Sequence, residues 1–376
     1  MQYDHLTTKE LLELEETYCS YGDTVHYLKD PIIFKRCEGS WMFDLEERPY
    51  LDMQMWYSAV NFGYRNREIE EAHNRQMAML PQVASQYLHR EKILLSATIA
   101  RETEERFGIK GRVHYNVGGA QAIEDSIKLV RNFKHGKSRM FSFMGGYHGR
   151  TLAATEITSS FRYRKRFGHF GNRATFIPFP YCYRCYYEKD RQTCDYYCIK
   201  QFERLFETEY YGVIDKKDNE VEYAAFYVEP IQATGGYIIP PPEYFARLEQ
   251  VLRKYNILLV DDEIQMGFYR TGKLWAMEHF HVKPDVIAFA KSLTNGLNPL
   301  SGIWAREEMI APEVFPPGST HSTFSSNPLG TAAGLAAMEY MKKHNLQEVV
   351  PEKGAYLIDR LKELQKRYPV IGDVDG

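Results

Sequence analysis

The sequence predicts an α/β protein built on a mainly parallel sheet that is covered by helices on both faces. Three observations predict it. Arg139–Met144 is strand-like, and Ala224–Val228, Ile257–Val260 and Val286–Ala290 are short, unbroken apolar runs, as expected of strands buried on both faces. Amphipathic helical stretches alternate with them, from Gln121 to about Phe133, at Glu243–Tyr255 and at Leu329–Lys343. The chain has 376 residues, 44% hydrophobic and 26% charged, which is close to the globular average. That length allows about two or three domains and a large core that needs no disulfide framework.

The first 55 residues read as an arm. A helix at about 8–20 carries Leu11, Leu12 and Leu14, and short strands follow around Ile32–Phe34, Trp41–Asp44 and Tyr50–Met53. From about 67 to 107 the pattern is helical, with charged residues around Ala72, Met77, Ile93, Leu94 and Ala97. The helix from Gln121 places Ile123, Ile127 and Val130 on one stripe. Glu348–Tyr368 is a long amphipathic helix that opens a smaller C-terminal region. The expected division is an arm at 1–66, a large domain at 67–325, and a connecting helix with the start of a small domain at 326–376. No internal repeat or low-complexity segment is present.

Composition excludes several function classes. Lys and Arg number 47 against 50 Asp and Glu, a net charge of −3, so the basic excess that a nucleic-acid backbone demands is missing. The start of the chain lacks a basic region followed by an apolar one, and no window approaches the roughly 18 apolar residues of a membrane span. Six cysteines beside 13 methionines fit a reduced protein. A cytoplasmic protein without nucleic-acid or membrane partners is expected.

In parallel sheets, ligands bind at the carboxyl ends of the strands. The residues closing the apolar runs are Gly145 and Gly146, Glu229, Asp261 and Asp262, and Lys291. A lysine at the end of a buried strand is desolvated, which lowers its pKa and makes it a Schiff-base nucleophile. The alternative is a lysine whose stem lies on the core while its head reaches solvent. Strand alternation sends Asp261 and Glu263 one way and Asp262 the other. A lone carboxylate on that face suits a pyridine nitrogen, which it keeps protonated, or a solvated acidic turn.

Taken together, these segments resemble the class III aminotransferases, fold-type-I pyridoxal-phosphate enzymes that include the ornithine and 4-aminobutyrate aminotransferases. The resemblance rests on Leu-Val-Asp-Asp-Glu-Ile-Gln-Met-Gly-Phe-Tyr-Arg-Thr-Gly (259–272), Pro-Asp-Val-Ile-Ala-Phe-Ala-Lys (284–291) and Val-Glu-Pro-Ile-Gln (228–232). Tyr-His-Gly-Arg-Thr (147–151) and His-Ser-Thr-Phe-Ser-Ser-Asn-Pro (321–328) also match, all in family order over roughly residues 30–376.

The resemblance implies a large cofactor domain and a smaller α+β domain. It implies pyridoxal 5'-phosphate as cofactor, and a homodimer with shared active sites. It also implies transfer of an amino group from an ω-amino acid or related amine to a 2-oxo acid by a ping-pong mechanism. Lys291 matches the lysine that bonds the cofactor and shuttles the proton. Asp262 matches the partner of the pyridine nitrogen, Gln265 the neighbour of the phenolic oxygen, and Tyr147 the aromatic stacked on the ring. His148 and Glu229 fall within matching cofactor-site motifs. Thr323 matches a threonine that reaches the phosphate of the neighbouring subunit's cofactor, and Tyr57 matches a substrate-pocket position. Arg150 matches the arginine that grips a substrate carboxylate with a bidentate fork; a structural arginine paired with an acid is the other reading. Racemases, epimerases and enzymes of other Cα/Cγ chemistry on this fold use the same lysine and aspartate, so those reactions stay open. Retention of Lys291, Asp262, Gln265 and Arg150 argues against a non-catalytic binding subunit.

Three departures stand out. The family's Ser-Gly-Thr/Ser-Glu phosphate cup is replaced by Gly118-Gly119-Ala120-Gln121, so phosphate is expected on the helix N-terminus at Gly119 and Ala120, with Thr323. Thr234 stands where the family has a glutamate that pairs with a C-terminal arginine. The sequence stops where members continue into a strand-and-helix layer, with Asp375 where Arg is common, so a truncated small domain is expected. A dinucleotide loop at 144–149 fails because position 144 is Met. Cys182, Cys185, Cys194 and Cys198 have a spacing compatible with structural tetrahedral zinc, with two disulfides or free thiols as the other readings. His279 and His281 are expected at a helix end, and Trp56 and Trp275 in packing roles.

Overall fold

The computed structural model describes residues 5–22, 28–167, 171 and 174–376. The arm opens with helix α1 (Thr8–Tyr18), started by a capping box in which Thr7 and Glu10 satisfy each other's backbone amides. Three short antiparallel strands follow: β1 (Phe34–Glu38), β2 (Trp41–Asp44) and β3 (Pro49–Leu51). The first and third differ from the runs read at 32–34 and 50–53: Gly39, with φ +58°, places the β1–β2 hairpin turn after Glu38, and β3 pairs with β2 over Pro49–Leu51 alone. A four-residue left-handed helical turn, α2 (Met55–Ser58), leads out of the arm.

The helical stretch from 67 to 107 is two helices, α3 (Arg67–Met79) and α4 (Arg90–Phe107). Pro81 disfavours helical geometry at Leu80, and α4 restarts where the His89 ring accepts from the Lys92 amide. Strands and helices then alternate: β4 (Gly111–Asn116), α5 (Gly119–Phe133), β5 (Arg139–Phe143), α6 (Leu152–Ile157), β6 (Ala174–Ile177) and α7 (Tyr197–Glu203). After a small hairpin, β7 (Ile214–Asp215) with β8 (Glu220–Val221), come β9 (Tyr223–Val228), α8 (Tyr244–Lys254), β10 (Leu258–Asp262), β11 (Val286–Phe289) and β12 (Ser301–Arg306). Helices α9 (Pro328–Lys343) and α10 (Leu346–Arg367) end the chain.

The main sheet has seven strands in the order β4-β12-β11-β10-β9-β5-β6. The pairings β11–β10, β10–β9, β9–β5 and β5–β6 are parallel, whereas β12 runs antiparallel to both β11 and β4. The fold is therefore α/β with a mainly parallel sheet, as expected, and its one antiparallel strand, β12, lies next to the β4 edge. Alternation splits the core in two. Phe226, Val228 and Leu259 face one side with Tyr244, Phe245 and Leu252 of α8. Tyr227, Leu258 and Val260 face the other with Ile123, Ile127 and Val130 of α5. Among the described residues, no helix is long and apolar enough to cross a membrane.

Candidate active site

Five strands deliver their carboxyl ends to one cavity of about 640 Å³. After β4 the chain turns at Val117 into α5. After β5 it runs through Gly145-Gly146 to Tyr147, His148 and Arg150. Glu229 follows β9, Asp262 closes β10, and Lys291 lies two residues beyond β11. The cavity wall includes Gly119, Ala120, Tyr147, His148, Arg150, Glu229, Asp262, Gln265 and Lys291. Residues spread over more than 170 positions thus meet in one place because a parallel sheet points all its strand ends the same way.

Asp262 is 4% exposed, and it is held from two loops, its own and the one after β5. Oδ2 accepts from His148 Nδ1 at 2.7 Å, and Oδ1 accepts from the Ile264 amide at 3.1 Å. Burial disfavours a charged His148 ring. The hydrogen bond and charge of Asp262, with Glu229 behind it, prevail and raise its pKa above the ordinary value. The His148 ring thus backs the carboxylate and binds its own proton more firmly than a free imidazole does. Glu229 accepts from the amides of Tyr147 and Ala233, at 2.9 and 3.2 Å. Burial still pushes its carboxyl up to about 7, against the pull of His148.

Lys291 has φ +39°, a left-handed conformation, at the start of a 3-10 turn running to Thr294. Its Nζ donates to Gln265 Oε1 at 2.8 Å. Burial lowers its pKa, opposed by the charges of Asp262 and Glu229 and aided by Arg270. The cavity thus places a lysine with a weakened hold on its proton near an ionisable carboxylate pair. The guanidinium of Arg150 lies 4.4 Å from the ring centroid of Tyr163 and 5.8 Å from that of Tyr147. The two tyrosine rings meet edge to face at 5.2 Å. Gly149, with φ +130°, lets this loop press on α5: a Cβ there would stand 2.7 Å from that of Ala120.

Two residues expected at the site lie outside this cavity. Tyr57 is 52% exposed, and it is its neighbour Trp56 that forms part of the wall. Trp56, read as packing, turns inward because Met55, Trp56, Tyr57 and Ser58 all take left-handed φ values of 48–67°. None is glycine, and at about 1–2 kcal/mol each such a turn stores about 4–8 kcal/mol. No sequence signal marks it. Thr323 lies in a second cavity of about 790 Å³, which shares Val117, Asn298 and Pro299 with the first. Trp275, by contrast, is fully buried packing, and His281 ends a 3-10 turn, as expected. Tyr163 and the segment Asn298-Pro299-Leu300 were not anticipated; only proximity in the folded chain reveals them.

The zinc expectation for Cys182, Cys185, Cys194 and Cys198 is corrected. All four are free thiols, and among the described residues no group of three or more His, Cys, Asp or Glu side chains is arranged to hold a metal ion. Cys198 packs against the main core, and burial raises its thiol to about 11. Burial also raises Cys182, while Cys194 Sγ points to the Arg191 carbonyl at 3.8 Å.

Comparison with known proteins agrees with this geometry. The class-III aminotransferase family matches residues 24–376, and the chain belongs to that family. A leucine/methionine racemase from Thermococcus litoralis is 32% identical over 350 residues, covering 92% of this chain and 75% of the relative. An ornithine aminotransferase from an Exiguobacterium species is 30% identical over 377 residues, covering 98% and 83%. The solved amine transaminase from an uncultivated Pseudomonas species, in its PLP-bound form, superposes with a TM-score of 0.84 at 26% identity, covering 95% and 81%. The chain is therefore an enzyme of a pyridoxal-phosphate family.

The cavity fits that cofactor. Helix α5 begins at Gly119 without a side-chain cap from Gly118, which leaves its first amides to an anion. A Cβ at 119 would stand 3.1 Å from the Ile264 side chain, so glycine lets this helix start approach the loop carrying Asp262 closely without displacing that side chain.

Proposed function

We propose that this enzyme transfers an amino group from an ω-amino acid or related amine to a 2-oxo acid in two half-reactions. The observation that carries the reading is the convergence of Lys291 and the Asp262–His148 pair on one cavity, from the ends of neighbouring parallel strands. Bound pyridoxal phosphate supplies an aldehyde that condenses with amines and a ring that accepts electrons. Gly119 and Ala120 would hold its phosphate at the α5 N-terminus, where the family's side-chain hydroxyl is missing. Asp262 would face the ring nitrogen, Gln265 the phenolic oxygen and Tyr147 the ring face.

The remaining work falls to side chains of this chain. Burial favours the neutral Lys291 amine, which can attack a carbonyl carbon and then take and return a proton at the substrate Cα. His148 donates to Asp262 Oδ2 and fixes the direction of that carboxylate, whose role would be to retain a proton on the atom it faces. Arg150, steadied by Tyr163, offers its fork to a substrate carboxylate.

A homodimer completes this proposal. Thr323 sits beside the cavity but outside it, and Leu80, Tyr87, Leu88 and Phe324 are exposed apolar residues. A second copy docked there would bring its own Thr323 toward the phosphate end. Six free thiols suit a reducing cytoplasm.

The test is absorbance of purified, cofactor-loaded protein, then borohydride reduction and peptide mapping. A reduced adduct on Lys291 supports the reading; one on another lysine overturns it. The racemase likeness favours a second reading. Single-turnover mixing with one amine and no acceptor separates the two. Accumulated pyridoxamine phosphate supports transamination, and return of the starting spectrum with inverted substrate supports racemisation.

A further inference from the structure

The loops that carry the two main site residues also tether the arm. The loop after β10 reaches Ser58 and Asn61: Gln265 Nε2 lies 3.5 Å from Ser58 Oγ, and Arg270 donates to Asn61 Oδ1. The turn after β11 makes three more bonds. Ser292 Oγ donates to the Ser58 carbonyl at 3.0 Å. Asn295 uses both ends of its carboxamide: Oδ1 accepts from the Phe62 amide at 3.0 Å, and Nδ2 donates to the Gly63 carbonyl at 2.9 Å.

Asn295 is 5% exposed and lies more than 230 positions from its partners, so its side chain serves no local turn. It ends the 3-10 turn that begins at Lys291, in a left-handed conformation (φ +50°) that asparagine tolerates. The next residue, Gly296, has φ +74°, and a Cβ there would stand 3.0 Å from the Trp56 ring. The carboxamide therefore joins the turn that starts at Lys291 to residues 62 and 63, just beyond the left-handed turn that carries Trp56. Each is a single short helical turn, too brief to fix its own place against the other.

We propose that Asn295 is a positioning residue: its two-ended clamp holds the arm at 58–63 against the Lys291 turn. The clamp thereby sets both the direction of the lysine and the Trp56 wall. A substrate entering the cavity meets a wall from the arm and an amine from the sheet, and this side chain keeps them in register. The clamp is absent from either half alone, so the strained turn at 55–58 persists only while the tether holds.

The inference rests on Lys291 being the reacting amine, but one arm of its test does not. Asn295→Gly keeps the left-handed backbone at no steric cost and removes both side-chain bonds. In cofactor-free protein, hydrogen exchange at 55–64 should speed up at least about tenfold, while exchange in β9 and β10 stays within about twofold. In protein loaded with pyridoxal phosphate, the pH midpoint of the absorbance change should shift by at least about 0.3. Exchange rising equally in β9 and β10 would mean a merely structural residue and overturn the proposal, as would unchanged exchange at 55–64. Faster exchange with an unmoved midpoint overturns the link to Lys291 while leaving the lysine's own assignment to peptide mapping. Asn295→Asp keeps the acceptor for Phe62 and should recover part of the protection at Phe62 but not the Gly63 bond. Full loss in that variant would also overturn the two-ended clamp.

Discussion

Asp261→Asn should make the protein harder to unfold at alkaline pH. Asp261 and Glu263 lie on the reverse face of β10 from Asp262, both 0% exposed. Glu263 Oε1 accepts from the Met277 amide at 2.9 Å, but Glu263 Oε2 and both Asp261 oxygens have no donor. Ionised, the two carboxylates are acceptors facing each other; a proton kept between them makes the bond. Burial pushes Glu263 up to about 8, with its amide bonds and Asp261 pulling down and the charge of Glu278 adding to the rise. Burial and the charge of Glu263 raise Asp261 well above the ordinary carboxylate range. Asp262 and Glu278 are the other carboxyl groups acting on this pair, with Arg106 paired to Glu278 at 3.4 Å.

The sign follows from proton counting. A raised carboxyl pKa means that the folded state binds the extra proton, so stability is fully present below about pH 4.5 and falls as pH rises to about 8. One retained proton corresponds to a slope of about 1.4 kcal/mol per pH unit, or about 5 kcal/mol across that window as an upper bound. Asparagine removes one carboxyl and offers its Nδ2 to Glu263, which can then ionise at lower cost. Recovery of about 2–4 kcal/mol at pH 8.5 is expected. With about 2 cal/mol/K of unfolding entropy per residue, that raises the apparent melting midpoint by about 3–5 °C. At pH 5 the variant and parent should melt within about 1 °C of each other. The assay is thermal unfolding at a fixed scan rate from pH 5 to 9. Parallel midpoint curves for the two proteins would refute the shared-proton argument.

Other substitutions test the site. Lys291→Ala should cut turnover by at least about 10³-fold and abolish borohydride labelling, checked by steady-state rates and peptide mapping. Arg150→Lys loses the fork and the Tyr163 stacking. KM for a carboxylate-bearing donor should rise about tenfold with kcat changed little, and an equal rise for donors lacking a carboxylate would count against the role. Gly296→Ala forces a Cβ toward Trp56 at a positive φ, so chemical denaturation should show a loss of about 1–3 kcal/mol; no loss would mean that the wall is slack.

What could be read from the chain was what one strand can say about itself. Glu229, Asp262 and Lys291 stood out because each closes an apolar run, and a parallel sheet turns that position into a ligand-facing one. Pairing is another matter. The run Ser301–Arg306 is as buried as its neighbours, yet nothing within it announces that it lies antiparallel between β4 and β11. Register and direction are properties of two strands, and a single sequence carries only the period of each. The cysteines make the same point from the other side. Their spacing satisfied a zinc pattern, but the core claimed Cys198 first, because burying a thiol against apolar side chains needs no partner while a metal site needs four converging ones. The arm was the hardest to read. Met-Trp-Tyr-Ser contains no residue that favours a left-handed backbone, so local preference argues against the very turn that brings Trp56 into the wall. Its conformation is set by Ser292 and Asn295, more than 230 positions away. A segment whose geometry is imposed from so far along the chain opposes its own local preferences, and that opposition places it with the working parts of the site.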